Sequence, residues 1–223
     1  MPTKEKIISK LSRGLEVDLK EAETLFQDKD SLRYTNEKFP AKYLVREEDL
    51  FQYQGQNSRV YLLRSNIIKC PKLYFSEEIK NGFDIQRYFK SKGIPVPESE
   101  GLFNTIEIIG VKETRIKISL SHSMEYCPYP RIQNSNLGIE EYEYAKDKIK
   151  EYVKEMQKLG FQSFYPTSLF KPDLICGLKG PNILWNKRKR EPIFLDFDLD
   201  KIVENKEFNS FKENNINSFK VLI

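Results

Sequence analysis

The sequence predicts an α+β fold in which a β-rich part precedes a helical one. Short apolar runs broken by turn residues fill Leu50 to Cys70. A single apolar stripe at helical spacing fills Glu140 to Leu159. A second pair of short apolar runs flanks a basic turn between Ile183 and Phe194. At 223 residues the chain is long enough for one sizeable core, divided between two small lobes.

In chain order, residues 3–28 read as helix, because Ile7, Ile8, Leu11, Leu15, Leu19, Ala22, Leu25 and Phe26 fall near helical spacing. Gly14 and Asp18 are the places where it would break into two. Ser31 to Glu47, with Pro40, reads as a connector, so residues 1–47 form an N-terminal helical extension that braces the next part, binds a protein partner, or both. Residues 48–127 follow as a β-rich lobe. Leu50 to Leu63 is strand, Gly-containing turn, strand, and Arg64-Ser65-Asn66 turns into a third strand, Ile67-Ile68-Lys69-Cys70. Ser76 is a plausible N-cap, with Glu77 and Glu78 in the first turn, for a helix to about Lys92. Strands are expected around Thr105–Val111 and Arg115–Tyr126. Residues 128–223 make a small helical lobe. Its helix Glu140–Leu159 carries Ile149, Tyr152, Val153, Met156 and Leu159 on one stripe. The Asn-rich tail Glu204–Asn217 reads as mobile.

Composition narrows the function classes. The net charge of +4 is mild, and the one dense basic run, Lys187-Arg188-Lys189-Arg190, reads as a solvated turn, which argues against a nucleic-acid partner. No apolar stretch is long enough to span a bilayer, and the N-terminus lacks a signal-peptide core. Cys70, Cys127 and Cys176 have no zinc-type spacing and fit reduced thiols in a cytoplasmic protein. His122 is the only histidine, so His-rich metal sites are excluded, and it reads as a strand residue.

Two constellations carry chemistry. In Gly180-Pro181-Asn182-Ile183-Leu184-Trp185 an asparagine opens an apolar run, and in Phe194-Leu195-Asp196-Phe197-Asp198 an aspartate closes the next. The two stand 14 positions apart, room for a hairpin that brings both ends together, where their oxygens can hold Mg²⁺. The plain alternative is an ordinary hairpin with a polar residue at each end. Upstream, Lys69 lies in an apolar strand, where burial without an anionic partner is expensive. Its plain alternative is an edge strand with Lys69 facing water.

These residues resemble the protein-kinase-like superfamily in its atypical, minimal branch. Gly55-Gln56-Asn57-Ser58-Arg59-Val60-Tyr61 resembles the phosphate loop of RIO-type kinases. Val60-Tyr61-Leu62-Leu63 to Lys69, and Lys92-Gly93-Ile94-Pro95-Val96-Pro97, resemble aminoglycoside phosphotransferases. Asp196-Phe197-Asp198 is similar to the lipopolysaccharide-core sugar kinases. The likeness covers about residues 48–205. It implies a two-lobed kinase-like fold with ATP between the lobes and Mg²⁺ (or Mn²⁺) held by Asn182 and Asp196. It also implies phosphate contacts from Gly55, Asn57, Ser58, Lys69 and Lys179, and adenine contacts from backbone groups of Met124-Glu125-Tyr126-Cys127.

The chain departs from the family at three places. The helix glutamate that holds the lysine would fall near Gly82, so Glu78, one turn earlier, is nominated; a first-turn carboxylate serving the helix dipole is the alternative. The catalytic aspartate's position, five before Asn182, is Gly177. Either an inserted loop lets Asp173 act as base, or the base is absent and the chain is a pseudokinase. Only 25 residues follow Asp198, so the expected helical lobe is truncated and the acceptor, a protein or small-molecule hydroxyl, is not legible. The resulting expectation is an ATP-dependent phosphotransferase. Its alternatives are a regulatory pseudokinase and an RNA-associated relative that uses the basic turn.

Overall fold

Hydrogen-bonded strand pairing and three buried apolar clusters organise the computed structural model, which describes residues 3–13, 15–18, 21, 41–52, 58–72, 76–109, 115–132, 135–162, 182–198 and 200–216. The fold is mixed α+β. The chain divides into two units, one of Met1–Ile79, Glu100–Met124 and Phe219–Ile223, the other of Lys80–Ser99 and Glu125–Ser218.

The first unit is built on β1 (Val17–Asp18), β2 (Ala41–Arg46), β3 (Ser58–Leu63), β4 (Asn66–Pro71), β5 (Ser99–Ile109) and β6 (Arg115–Glu125), in the order β2-β5-β6-β4-β3 with β1 on β6. The β3–β4 hairpin turns at Arg64, whose left-handed φ of 56° suits the tight turn. Leu50 bridges Tyr61, and Phe51 donates its N–H to the Val60 carbonyl, so among the described residues the strand expected ahead of the turn begins with this bridge.

This sheet is rolled. Val45 on β2 shares one buried cluster with Ile68 and Cys70 on β4, three strands away. In a flat sheet those strands would lie about 14 Å apart at ~4.8 Å per strand. The enclosed face also holds a polar network. Fully buried Glu107 on β5 accepts hydrogen bonds from Arg59 Nε (2.7 Å), Tyr61 Oη (2.9 Å) and Ser119 Oγ (2.6 Å). A buried carboxylate is tolerable only with such donors.

The opposite face carries the N-terminal segment. Ile7 and Leu11 of α1 (Lys4–Ser12) pack with Val17, Ile116 and Ile118. Two expectations are corrected here. Residues 3–28 are not helical throughout: Val17 and Asp18 form a strand paired with Ile116 and Arg115, because the buried Val17 gains a sheet partner. Ser31–Glu47 is not wholly a connector. Ala41–Arg46 pairs in parallel with β5, and its alternating burial is strand periodicity. The described residues among the first 47 thus group with the sheet.

The second unit contains α2 (Ser76–Ser91) from Lys80 onward, α3 (Ile139–Lys158), β7 (Phe161–Gln162), β8 (Ile183–Asn186), β9 (Glu191–Phe194), β10 (Lys201–Ile202) and α4 (Lys206–Ile216). The expected apolar stripe of α3 is buried at Ile149, Val153 and Met156. It packs with Ile85, Tyr88 and Phe89 of α2 and with Ile183, Trp185 and Phe194 of the β8–β9 hairpin. The division by units therefore differs from a boundary at residue 127: most of α2 groups with the C-terminal elements, since its apolar face meets α3 and the hairpin. Gly160 ends α3 at φ 82°. A Cβ there would come within 2.3 Å of the Val203 carbonyl oxygen, so this close approach requires glycine.

The tail is a third correction. Rather than a mobile Asn-rich stretch, Lys206–Ile216 is a helix that buries Phe208 against Tyr88 at 5.1 Å between ring centroids. Asn205 starts it: its Oδ1 accepts the Phe208 N–H at 3.0 Å, while its Nδ2 donates to the Leu159 carbonyl at 2.8 Å and to Tyr88 Oη at 3.1 Å.

Candidate functional site

The Asn182–Asp196 pair is where the sequence expected it. β8 and β9 pair antiparallel from Ile183↔Phe194 to Asn186↔Glu191, and the Leu195 N–H closes on the Asn182 carbonyl at 2.8 Å. The open end of the hairpin thus brings the two side chains together, and Asn182 Nδ2 donates to Asp196 Oδ2 at 3.3 Å. Both outer edges of the hairpin are held: Trp185 N–H bonds the Pro130 carbonyl and Phe194 N–H bonds the Pro95 carbonyl, each at 2.9 Å. Trp185 is fully buried, and its indole N–H reaches Glu141 at 3.2 Å.

Asp196 has a left-handed φ of 66°, a conformation aspartate tolerates better than most residues. The next residue, Phe197, is buried 5.2 Å from Phe89 and 6.1 Å from Phe161 between ring centroids. The exposed Asp196 therefore stands between an anchored strand and an anchored ring. Among the described residues no three His, Cys, Asp or Glu side chains gather as a metal cage. Asn182 turns its Nδ2 to Asp196, so the pair fits Mg²⁺ with the amide turned over to present its oxygen beside the carboxylate; the ion keeps several waters and takes its remaining ligands from phosphates. The amide oxygen of Asn182 and the Asp196 carboxylate are the groups that would hold it.

Lys69 is an interior-strand residue. β4 lies between β6 and β3, Lys69 pairs with Val60, and its exposure is 8%. This overturns the edge-strand alternative in which it faces water. The fully buried His122 lies close enough to feel its charge. Burial first, and Lys69 second, push the imidazole down to about 3, so His122 is neutral. Ser58 is buried at the start of β3, opposite Pro71. Glu78 is half-buried in the first turn of α2.

At the end of β6 the Glu125 N–H is engaged by the Glu98 carbonyl at 2.9 Å. Cys127 is half-buried, and burial followed by the nearby Glu125 charge pushes its thiol up to about 11, so it is no ready nucleophile. Gly55, Asn57, Asp173, Gly177 and Lys179 lie outside the described residues, as does Cys176.

The basic turn is largely occupied internally. Lys187 Nζ donates to the Asn136 carbonyl, Lys189 lies 3.6 Å from Glu191, and Arg190 sits 4.2 Å from the centroid of Tyr144. Among the described residues, no helix is long and apolar enough to cross a membrane.

Sequence reasoning missed two features. The first is the Glu107 network. Its signal was a charge inside Ile106-Glu107-Ile108-Ile109, the same anomaly that singled out Lys69. The second is the seat beneath Asp198, where Gly82 has no side chain. A Cβ on Gly82 would come 2.2 Å from Asp198 Oδ1 and 3.1 Å from its Cα and N. Gly82 thus marks a close backbone approach and not merely a missing glutamate.

No protein-family model matches the chain. No curated protein matches it either. Among solved structures the chain is similar to a co-crystal structure of WbdD with the kinase inhibitor LY294002, at 11% identity and a TM-score of 0.40. That match covers 77% of this chain and 38% of the other. A likeness of this degree leaves the family open.

Proposed function

We propose that the chain is an ATP-dependent phosphotransferase of a minimal, atypical kinase type, acting on a protein or small-molecule hydroxyl. The observation that carries this reading is the convergence of Asn182 and Asp196 at 3.3 Å at the open end of an anchored hairpin. In the proposal these two hold Mg²⁺ or Mn²⁺, which neutralises the nucleotide's phosphate charge. Lys69 supplies a phosphate contact, as its likeness to the strand lysine of kinases implies. Gly55, Asn57, Ser58 and Lys179 contribute further phosphate contacts, Glu78 supports Lys69, and backbone groups from Glu125 to Cys127 take the adenine. Asp173 accepts the proton of the acceptor hydroxyl.

A second reading, a nucleotide-binding pseudoenzyme, is favoured by Gly177 at the position five before Asn182. ATP consumption with Mg²⁺ or Mn²⁺ separates the two. The enzyme reading expects turnover that Asp196→Ala abolishes and that Asp173→Asn lowers by about 10²–10⁴-fold with nucleotide affinity retained. Nucleotide binding without turnover hands the lead to the pseudoenzyme. Unchanged turnover in Asp173→Asn removes Asp173 as the base.

A further inference from the structure

Asn81 and Gly82 lie next to each other on α2, and both meet the loop that follows Asp196. Asn81 Nδ2 donates to two backbone carbonyls of that loop, Asp198 at 3.0 Å and Asp200 at 2.8 Å. Gly82 lets the same loop come so close that a Cβ would collide with Asp198 Oδ1 at 2.2 Å and crowd its backbone at 3.1 Å. Within the loop, the Asp200 N–H closes a turn on the Phe197 carbonyl at 3.1 Å. Upstream of Asp196 the chain is fixed by the Leu195–Asn182 hydrogen bond, and immediately downstream by the buried Phe197 ring. Asp196 is thus the exposed residue of a segment held on both sides, and its backbone is left-handed.

We propose that Asn81 and Gly82 are positioning residues for Asp196: a seat on α2 that fixes the metal-ligand loop in advance. The inference rests on the reading of Asp196 as a metal ligand. It gives Gly82 a purpose, since a Cβ there would displace the Asp198 carboxylate and press on the loop backbone at 3.1 Å. Groups that orient a ligand without touching the metal are typically worth about 10–100-fold in affinity.

The test is binding of Mn²⁺ in the presence of ADP, read from the loss of the free Mn²⁺ electron paramagnetic resonance signal at low temperature on folded full-length protein. The seat predicts that Asn81→Leu and Gly82→Ala each weaken Mn²⁺ by about tenfold or more, and that Asp196→Ala removes binding. Tyr88→Phe, which trims α2's contacts to Asn205 and Glu207 without touching the loop, should bind as the parent does. Adding Asp198→Gly to Gly82→Ala should bring the affinity part of the way back to that of Asp198→Gly alone, because it removes the colliding carboxylate and leaves the backbone crowding at 3.1 Å. If Asn81→Leu gives no soluble protein, Asn81→Ser removes the same two hydrogen bonds. Parent-like binding by both seat variants overturns the seat and leaves the metal site standing. Weakening by Tyr88→Phe as large as by Asn81→Leu also overturns it, since helix stability alone would then explain the effect. A parent that binds no Mn²⁺ with ADP overturns the seat together with the reading beneath it.

Discussion

Replacing His122 with glutamine should flatten the acid side of the stability profile. His122 is the chain's only histidine, and burial holds its folded-state imidazole down at about 3 against an ordinary 6.5. Between those values the unfolded chain binds a proton that the folded chain refuses. Stability is therefore fully present above about pH 6.5 and falls as the pH drops. From about pH 7.5 to about pH 5 the loss is ~2 kcal/mol, roughly 1.5 units at 1.36 kcal/mol each. For a chain of this length that corresponds to a melting temperature about 4–8 °C lower. Carboxylates such as Glu100 do not confuse this window. Burial raises Glu100, but hydrogen bonds from Lys42, Ser123 and Tyr43 outweigh it and hold the group at about 2, so its contribution is lost only as the pH falls below about 4.5. Urea titrations at the two pH values, followed by circular dichroism, measure the difference in the parent and in His122→Gln. A flat parent would refute the argument, and so would a slope that survives the substitution.

Other substitutions probe the framework and the corrected tail. Glu107→Gln should cost about 3 kcal/mol in urea unfolding, because it leaves Arg59, whose buried Nη2 has no partner among the described residues, short of its counter-charge. A cost below about 1 kcal/mol would mean the rolled sheet does not depend on that carboxylate. Asn205→Ala should cost about 1–2 kcal/mol by removing the start of α4 and the tie to Leu159, and an unchanged midpoint would return the tail to the mobile reading.

The sequence carried the elements whose signals are local. The β8–β9 hairpin was visible because apolar runs flank a four-residue basic turn, and α3 because its stripe repeats at helical spacing. What escaped was set by distant partners. Val17 becomes a strand only through Ile116, nearly a hundred positions later, so no window around residue 17 shows it. Asn content argued for a mobile tail, yet Phe208 and Phe211, three apart behind an Asn cap, were the helix signal that composition obscured. Of the candidate site, the closeness of Asn182 and Asp196 was legible from the hairpin pattern, and the unusual setting of Lys69 from the apolar run around it. The role of Gly82 was not, since a close approach to Asp198 leaves no trace in spacing.

The central claim is a metal–nucleotide site served by Lys69 and Asp196. The most direct test is the melting temperature with and without millimolar Mg²⁺–ATP in the parent, Lys69→Ala and Asp196→Ala. A ligand that binds only the folded state stabilises it by mass action, about 2.7 kcal/mol at a hundred times its dissociation constant. The account predicts an upward shift in the parent that both substitutions diminish. No shift in the parent, or an equal shift in all three proteins, would contradict it.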